Sequence, residues 1–152
     1  MAEQWNRDSD MLTTDPNAVD VGAVHAFLQQ SHWARGIPPE VVRRSMESSL
    51  NFSLLREQRF IGYARVITDY TTFAYLTDVF VLAEYRGQGL ATWMMSCILA
   101  HPRLQGLRRW CLVTRDAKSL YERVGFEQTP TPDRWMERLD PHVYEVDVLS
   151  GT

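Results

Sequence analysis

Apolar residues along this chain follow two different periods, and the change from one to the other divides it. From Asp20 onward Val21, Val24 and Leu28 recur at helical spacing, with His25 near the same stripe. Asp20 itself is a residue type that caps helix starts. A second helix is expected from about Pro39 to Ser48, because proline suits a first turn. The segment between them, Ser31-His32-Trp33-Ala34-Arg35-Gly36-Ile37-Pro38-Pro39, reads as a loop. Strand patterns then take over at Phe52 to Leu55, Phe60 to Thr68 and Thr72 to Leu82, with Asp69-Tyr70-Thr71 as a turn. Their short connections predict antiparallel neighbours.

Helical spacing returns at Leu90, Trp93, Met94, Cys97 and Ile98, and His101-Pro102 is expected to end that helix. Trp110 to Thr114 reads as a strand. Ala117, Leu120, Tyr121 and Val124 read as a helix stopped by Gly125. Phe126 onward and Trp135-Met136-Glu137-Arg138 are expected to supply final strands. Near the start, Met11 to Thr14 reads as a short first strand. These runs make one domain over residues 11–140, with a flexible polar end at 1–10 and a tail or extra edge strand at 141–152. The class is mixed α/β (α+β), with antiparallel strands first and a β-α-β-α-β unit after.

Bulk properties narrow the partners. The 152 residues suffice for one real core, and 45% hydrophobic with 23% charged residues is ordinary for a globular domain. A net charge of −3 argues against a generic nucleic-acid binder. No apolar run is long enough to span a bilayer, and the polar start lacks an apolar signal core, so a cytoplasmic location and no membrane partner are expected. Cys97 and Cys111 form no CxxC pair, and no Cys/His cluster has zinc spacing, so no metal is expected and reduced thiols are the simpler reading.

The chemistry concentrates at Val81-Leu82-Ala83-Glu84-Tyr85-Arg86-Gly87-Gln88-Gly89-Leu90-Ala91. A strand end, a glycine turn and a helix start point backbone N–H groups and the positive end of a helix dipole at one spot, which suits phosphate. Gly87 and Gly89 allow close approach and positive φ, the N–H groups from Gln88 to Thr92 are candidate donors, and Arg86 adds a cation. The Gly-Lys-Ser/Thr of a Walker A loop is missing. A dinucleotide turn is the closer rival. Thr92 stands where its third glycine belongs, Asp116 sits where a ribose-binding acid would, and room for a doubly wound sheet is lacking.

The pattern Val81-x-x-x-x-Arg86-Gly87-x-Gly89-x-Ala91, followed by Ala117-x-x-x-Tyr121-x-x-x-Gly125-Phe126, resembles the two signatures of the GNAT acetyltransferase superfamily. The resemblance spans the chain from the first helix to the final strands. It implies a single-domain GNAT fold, a mixed sheet of about six to seven strands with helices on both faces, and acetyl-CoA as co-substrate. It further implies that the pyrophosphate sits on the amides of Gln88, Gly89, Leu90, Ala91 and Thr92 beside Arg86 and Gly87. The pantetheine arm would pair with backbone at Val79, Phe80 and Val81, where an N–H would stabilise the oxyanion. Tyr121 would protonate the departing thiolate. Thr114 stands where the family often has asparagine, which changes that cofactor contact.

Acceptor residues are less marked. On strand alternation, Asp78 shares a face with Leu76 and Phe80, where a carboxylate must be paired or used. Two readings fit: it deprotonates or holds an amine acceptor, or it forms a buried salt bridge to an arginine. Asp69 is a turn residue first and an amine-binding candidate second. In the loop before the second helix, Trp33 is placed to stack on an organic acceptor and Arg35 to bind a carboxylate, with His32 a weaker base candidate. The basic stretch Arg103 to Arg109 reads as solvated, with the cofactor's adenosine phosphate as its alternative partner. Core-facing cysteines disfavour a ping-pong route. The expected reaction is N-acetylation by direct attack in a ternary complex. A small-molecule amine acceptor is favoured over a peptide or protein amine, a non-catalytic CoA-binding module is the alternative class, and the protein is a monomer or homodimer.

Overall fold

The computed structural model describes residues 1–145. One six-stranded sheet runs in chain order, from β1 (Gln4–Arg7) and β2 (Asp10–Thr13) through β3 (Leu50–Arg56), β4 (Arg59–Thr68) and β5 (Phe73–Val81) to β6 (Arg109–Cys111). The first four junctions are antiparallel and the last, β5 with β6, is parallel. This mixed order has no second parallel half, so the doubly wound reading of the glycine turn falls. Helices α1 (Val21–Leu28) and α2 (Pro39–Glu47) lie in sequence between β2 and β3. Helix α3 (Leu90–Leu99) joins β5 to β6, and α4 (Lys118–Glu122) follows β6.

Helices cover both faces. On one, α3 inserts Leu90, Met94, Met95, Cys97 and Ile98 against Leu12, Phe52, Leu54, Ile61, Val66 and Leu76. On the other, Val24 and Leu28 of α1 and Val42 and Met46 of α2 meet Tyr63 and Phe80. Local signals explain the starts of the helices. Asp20 accepts the Ala23 N–H at 2.9 Å and caps α1, and Pro39 opens α2.

Four expectations need correction. Residues 1–10 do not fray: β1 and β2 form a hairpin whose turn places Asp8 at φ 54°. Trp5 anchors it against Phe52 and His101, with ring centroids 6.2 and 6.1 Å away, and buried Asp10 pairs with Arg56 at 2.7 Å. Four residues with one large apolar side chain give a weak strand pattern, which is why the hairpin is hard to see in sequence. At the other end, Phe126 onward and 135–138 form no strand, and the residues around them hold only a short 3-10 turn at Pro132–Arg134. The sixth strand therefore comes from the N-terminus. The strand expected over Trp110 to Thr114 is cut to Arg109–Cys111. Of the tail at 141–152, residues 141–144 form a turn and 146–152 lie outside the described residues.

The fourth correction concerns alternation in β5. Asp78 has φ 55°, and the β4–β5 register slips between Tyr63 and Arg65, so β5 carries a bulge there. The extra residue breaks the period of two. Leu76 packs on the α3 face and Phe80 on the α1 face, so Asp78 does not share one face with both.

Candidate active site

The donor side is built by the backbone where β5 gives way to α3. After Val81 a short 3-10 turn (Ala83–Tyr85) leads into Gly87 at φ 79° and Gly89 at φ 73°. Left-handed φ is cheap only for glycine, which explains the residue type at both positions. A Cβ at either one meets no atom within 4 Å, so the turn faces open space. Gly89 is the N-cap of α3, and its carbonyl accepts the Trp93 N–H at 3.0 Å. With no side chain capping the helix, the N–H groups of Leu90, Ala91 and Thr92 remain available to a ligand. They open into a cavity of about 250 Å³ lined by Val81, Arg86, Gly87, Gly89, Leu90, Ala91 and Thr92, together with Tyr85, Leu120 and Arg123. Uncapped amides, a helix dipole and Arg123 fit a pyrophosphate.

Arginines brace this turn. Arg86 donates through Nε to the Val81 carbonyl at 2.9 Å, so its side chain ties the turn to the end of β5. From the N-terminal hairpin Arg7 donates to the Gln88 carbonyl at 3.4 Å and stands 5.1 Å over the Trp93 ring. Arg56 donates to the Gln88 side chain at 2.8 Å. Gln88 is therefore held from the hairpin, and it does not line the donor cavity.

Beside the cavity the sheet opens. The β5–β6 ladder covers only Phe73 to Tyr75 against Arg109 to Cys111. Beyond it, β5 continues to Val81 with no strand on that edge among the described residues, which makes the Val79 to Val81 backbone a candidate to pair with an extended ligand. Tyr121 of α4 packs on this side, 9% exposed, with Phe126 edge-on at 6.0 Å. Burial raises the pKa of its hydroxyl, which stays protonated at neutral pH. Among the described residues that hydroxyl has no partner, and it is not fully enclosed, unlike the orphaned Ser53 Oγ. It is a proton donor without an internal acceptor. Thr114 accepts the Ala117 N–H at 3.0 Å and so helps form the turn into α4.

The acceptor-side candidates lie on the other face. A cavity of about 420 Å³ is lined by Phe27, Gln30, Ser31, His32, Trp33, Arg35 and Arg115. Asp78 stands behind it, 7% exposed. Its Oδ2 accepts from Arg65 Nε at 2.8 Å and its Oδ1 from Trp33 Nε1 at 2.9 Å. Of the two readings of Asp78, the ion pair to an arginine is the one observed. The carboxylate ties the α1–α2 loop, through Trp33, to β4, through Arg65. Phe80 stacks at 4.1 Å on Phe27, which lines this cavity, while the Phe80 backbone belongs to the open edge.

Asp69 is not brought to either cavity. It accepts the N–H groups of Thr71, Thr72 and Phe73 and the Thr72 hydroxyl inside its own turn, and those bonds hold its carboxyl far below the usual range. That turn precedes Phe73, at the far end of β5 from Val81. The basic stretch shares this far end: Arg108 donates to Thr72, and Arg103 lies 3.8 Å over the Tyr70 ring. It is not a partner of the donor cavity. Sequence reasoning missed Arg123 and Arg115. Arg123 shares a helix face with Leu120 at i, i+3, a signal that was available. Arg115 carried none, because its role depends on a loop eighty residues earlier in the chain. Burial pushes the Cys97 thiol up to about 11, so it is no nucleophile at neutral pH.

No helix among the described residues is long and apolar enough to cross a membrane, and those residues bring no three metal-ligating side chains together. Residues 48–128 match the family model of the acetyltransferase (GNAT) domain. A Xanthomonas campestris pv. campestris structure, described as a "putative acetyltransferase" of the GNAT family, is 45% identical with a TM-score of 0.86. The match covers 90% of this chain and 97% of that one. A Gibberella zeae protein described as a "putative acetyltransferase" is 32% identical over 78% of this chain and 79% of its own length. A GNAT family acetyltransferase of Elizabethkingia anophelis, solved with acetyl-CoA bound, shares the fold at 12% identity and a TM-score of 0.63, covering 86% and 88% of the two chains. The glycine turn, the opened sheet edge and these likenesses agree, and the chain belongs to the GNAT family of acetyltransferases, enzymes that transfer acetyl from acetyl-CoA.

Proposed function

We propose that the protein acetylates the primary amine of a small molecule by direct attack within a ternary complex. One observation carries this reading. Two cavities, one on each face of the sheet, flank the stretch of β5 where its ladder to β6 has ended. A donor held by the amides of Leu90, Ala91 and Thr92 would extend along Val79 to Val81 and present its thioester toward the second cavity. A backbone N–H on that open edge would receive the developing oxyanion. The Tyr121 hydroxyl, protonated and without an internal acceptor, would supply the proton the leaving thiolate needs. Acetyl-CoA supplies the activated acyl group; the protein positions it and, through Tyr121, protonates the leaving thiolate.

Acceptor size follows from the cavity. About 420 Å³ is within the range of small-ligand sites, which run from roughly 300 to 1,000 Å³. The amine reaches neutral solution mostly as ammonium, with a pKa of roughly 10, and must lose a proton before it attacks. Asp78 is committed to Arg65 and Trp33, so we assign it to shaping the cavity and leave deprotonation to solvent reaching it.

The test is a free-thiol assay with acetyl-CoA across amine classes. Thiol release with small amines is the expected result. Release with peptides alone would move the acceptor to a polypeptide. Tight acetyl-CoA binding with no release from any class would make this a binding module.

A further inference from the structure

The second cavity has a charge balance that selects among amines. Two guanidinium groups line it, Arg35 from the α1–α2 loop and Arg115 from the turn after β6. Neither forms an ion pair among the described residues. No acidic side chain lines it. The nearby carboxylate, Asp78, is neutralised by Arg65 at 2.8 Å and occupied by Trp33. The remaining wall is aromatic and polar: Phe27, Trp33, His32 and Gln30.

A site for polyamines or amino sugars needs carboxylates to receive several ammonium groups. Here such ligands would meet two cations and no free anion, and like charges brought together without a counter-ion repel. An anion on the acceptor reverses the sign. Guanidinium groups bind carboxylate and phosphate through parallel N–H donors, a geometry that lysine cannot offer. The two arginines arrive from chain positions eighty residues apart, so their convergence is a product of the fold. From these facts we infer that the acceptor is an amine carrying its own carboxylate or phosphate group, which Arg35 and Arg115 hold while an apolar portion lies against Phe27 and Trp33. This inference rests on the transfer reading above and names its substrate class.

The same charges assist the chemistry. Positive charge near an ammonium favours its neutral form, and the neutral form is the nucleophile. With the anion anchored, the amine is left beside two cations, so loss of its proton is promoted without a dedicated carboxylate base. The attack then forms the C–N bond and breaks the C–S bond. One ammonium proton leaves to solvent before attack; the second leaves the nitrogen as the C–S bond breaks and restores, through solvent, the proton that Tyr121 gives the thiolate.

The test compares matched pairs: phenylalanine with phenethylamine, phosphoethanolamine with ethanolamine, and spermidine as polycation. Acetylation is read by thiol release. Binding to the CoA-saturated protein is read separately by calorimetry. Arg35 and Arg115 are exposed, so Arg35→Gln and Arg115→Gln leave the fold intact. The wild-type protein is expected to prefer at least one anionic member of a pair. Each variant should raise KM for that member about 10- to 100-fold, the scale of a lost charge-assisted hydrogen bond, with no comparable loss on the partner that lacks the anion. Arg→Lys should restore only part of the loss. The two anionic probes separate carboxylate from phosphate. A preference for phenethylamine, ethanolamine or spermidine, or equal losses on both members, overturns the inference while the transfer reading stands. An anionic amine that binds through both arginines and is never acetylated overturns the transfer reading and leaves the inference standing. No acetylation of any probe, together with no binding of any anionic one, overturns both.

Discussion

The donor and acceptor cavities are made of different material. The donor cavity is a conformation: two left-handed glycines, an uncapped helix start and a strand edge that has lost its neighbour. Its recognition groups are mostly backbone, so its requirements fall mainly on the run from Val81 to Thr92, with Leu120 and Arg123 added from around α4. The acceptor cavity is a convergence of side chains from α1, the loop after it and the turn after β6. Its chemistry depends on which residues those positions carry, and no short run of sequence contains it. A backbone site tolerates side-chain drift and keeps one ligand. A side-chain site changes ligand with a few substitutions, which suits a fold that holds its donor constant and varies its acceptor.

The sharpest way to break this contrast is to put a side chain into the backbone site. Gly89→Asp places a β-carbon at φ 73° and a negative charge among amides meant for phosphate. Acetyl-CoA affinity should fall beyond about 100-fold by calorimetry, with the thermal unfolding midpoint lowered only modestly. Retained affinity would remove the pyrophosphate from this turn. Next in size is Tyr121→Phe. The ring still packs on Phe126, but the proton donor is gone. Turnover should drop roughly 100-fold or more with acetyl-CoA affinity unchanged, the scale expected for loss of general acid catalysis. Equal turnover would return Tyr121 to packing alone.

On the acceptor side, Asp78→Ala strands the Arg65 guanidinium and frees Trp33. Breaking a buried pair typically costs about 3 kcal/mol or more, so chemical denaturation should show a loss of that order. The milder Asp78→Asn should keep the acidic limb of the pH–rate profile in place, because Asp78 acts on the cavity's shape. Disappearance of that limb would make Asp78 the base. The smallest effect belongs to a region outside both cavities. The folded-state pKa of Asp69 is depressed by backbone N–H donors in its turn. A depressed carboxyl adds stability above its unfolded pKa and loses it as pH falls through the folded value. Asp69→Asn should therefore be less stable than wild type near neutrality, with the gap closing as pH drops below about 4.

The same contrast explains what the sequence disclosed. Asp20, Pro39 and the Leu90 to Ile98 stripe were legible because caps and periodicity are local. The glycine turn was legible because left-handed backbone demands glycine. Strand β1 was not, since the turn after it uses Asp8 at positive φ and Trp5 is its one large apolar residue. The segment 135–138 misled in the opposite direction: Trp135 meets Arg109 in a cation–π contact, Met136 is almost fully exposed, and neither lies in a strand. Asp78 looked like a carboxylate on an apolar strand face because alternation assumes a regular strand, and the bulge sits at that residue. Arg65 and Arg115 had no local signature, because their partners lie on other elements.

Direct transfer requires both substrates to occupy their cavities at once, and a steady-state rate grid tests this. Initial rates are measured while acetyl-CoA and an accepted amine are varied together. Lines that intersect in the double-reciprocal plot are the predicted result, as a ternary complex demands and as the protonated, buried Cys97 leads one to expect. Parallel lines, with acetyl retained on the protein after acetyl-CoA alone, would contradict the account by showing an acyl-enzyme intermediate.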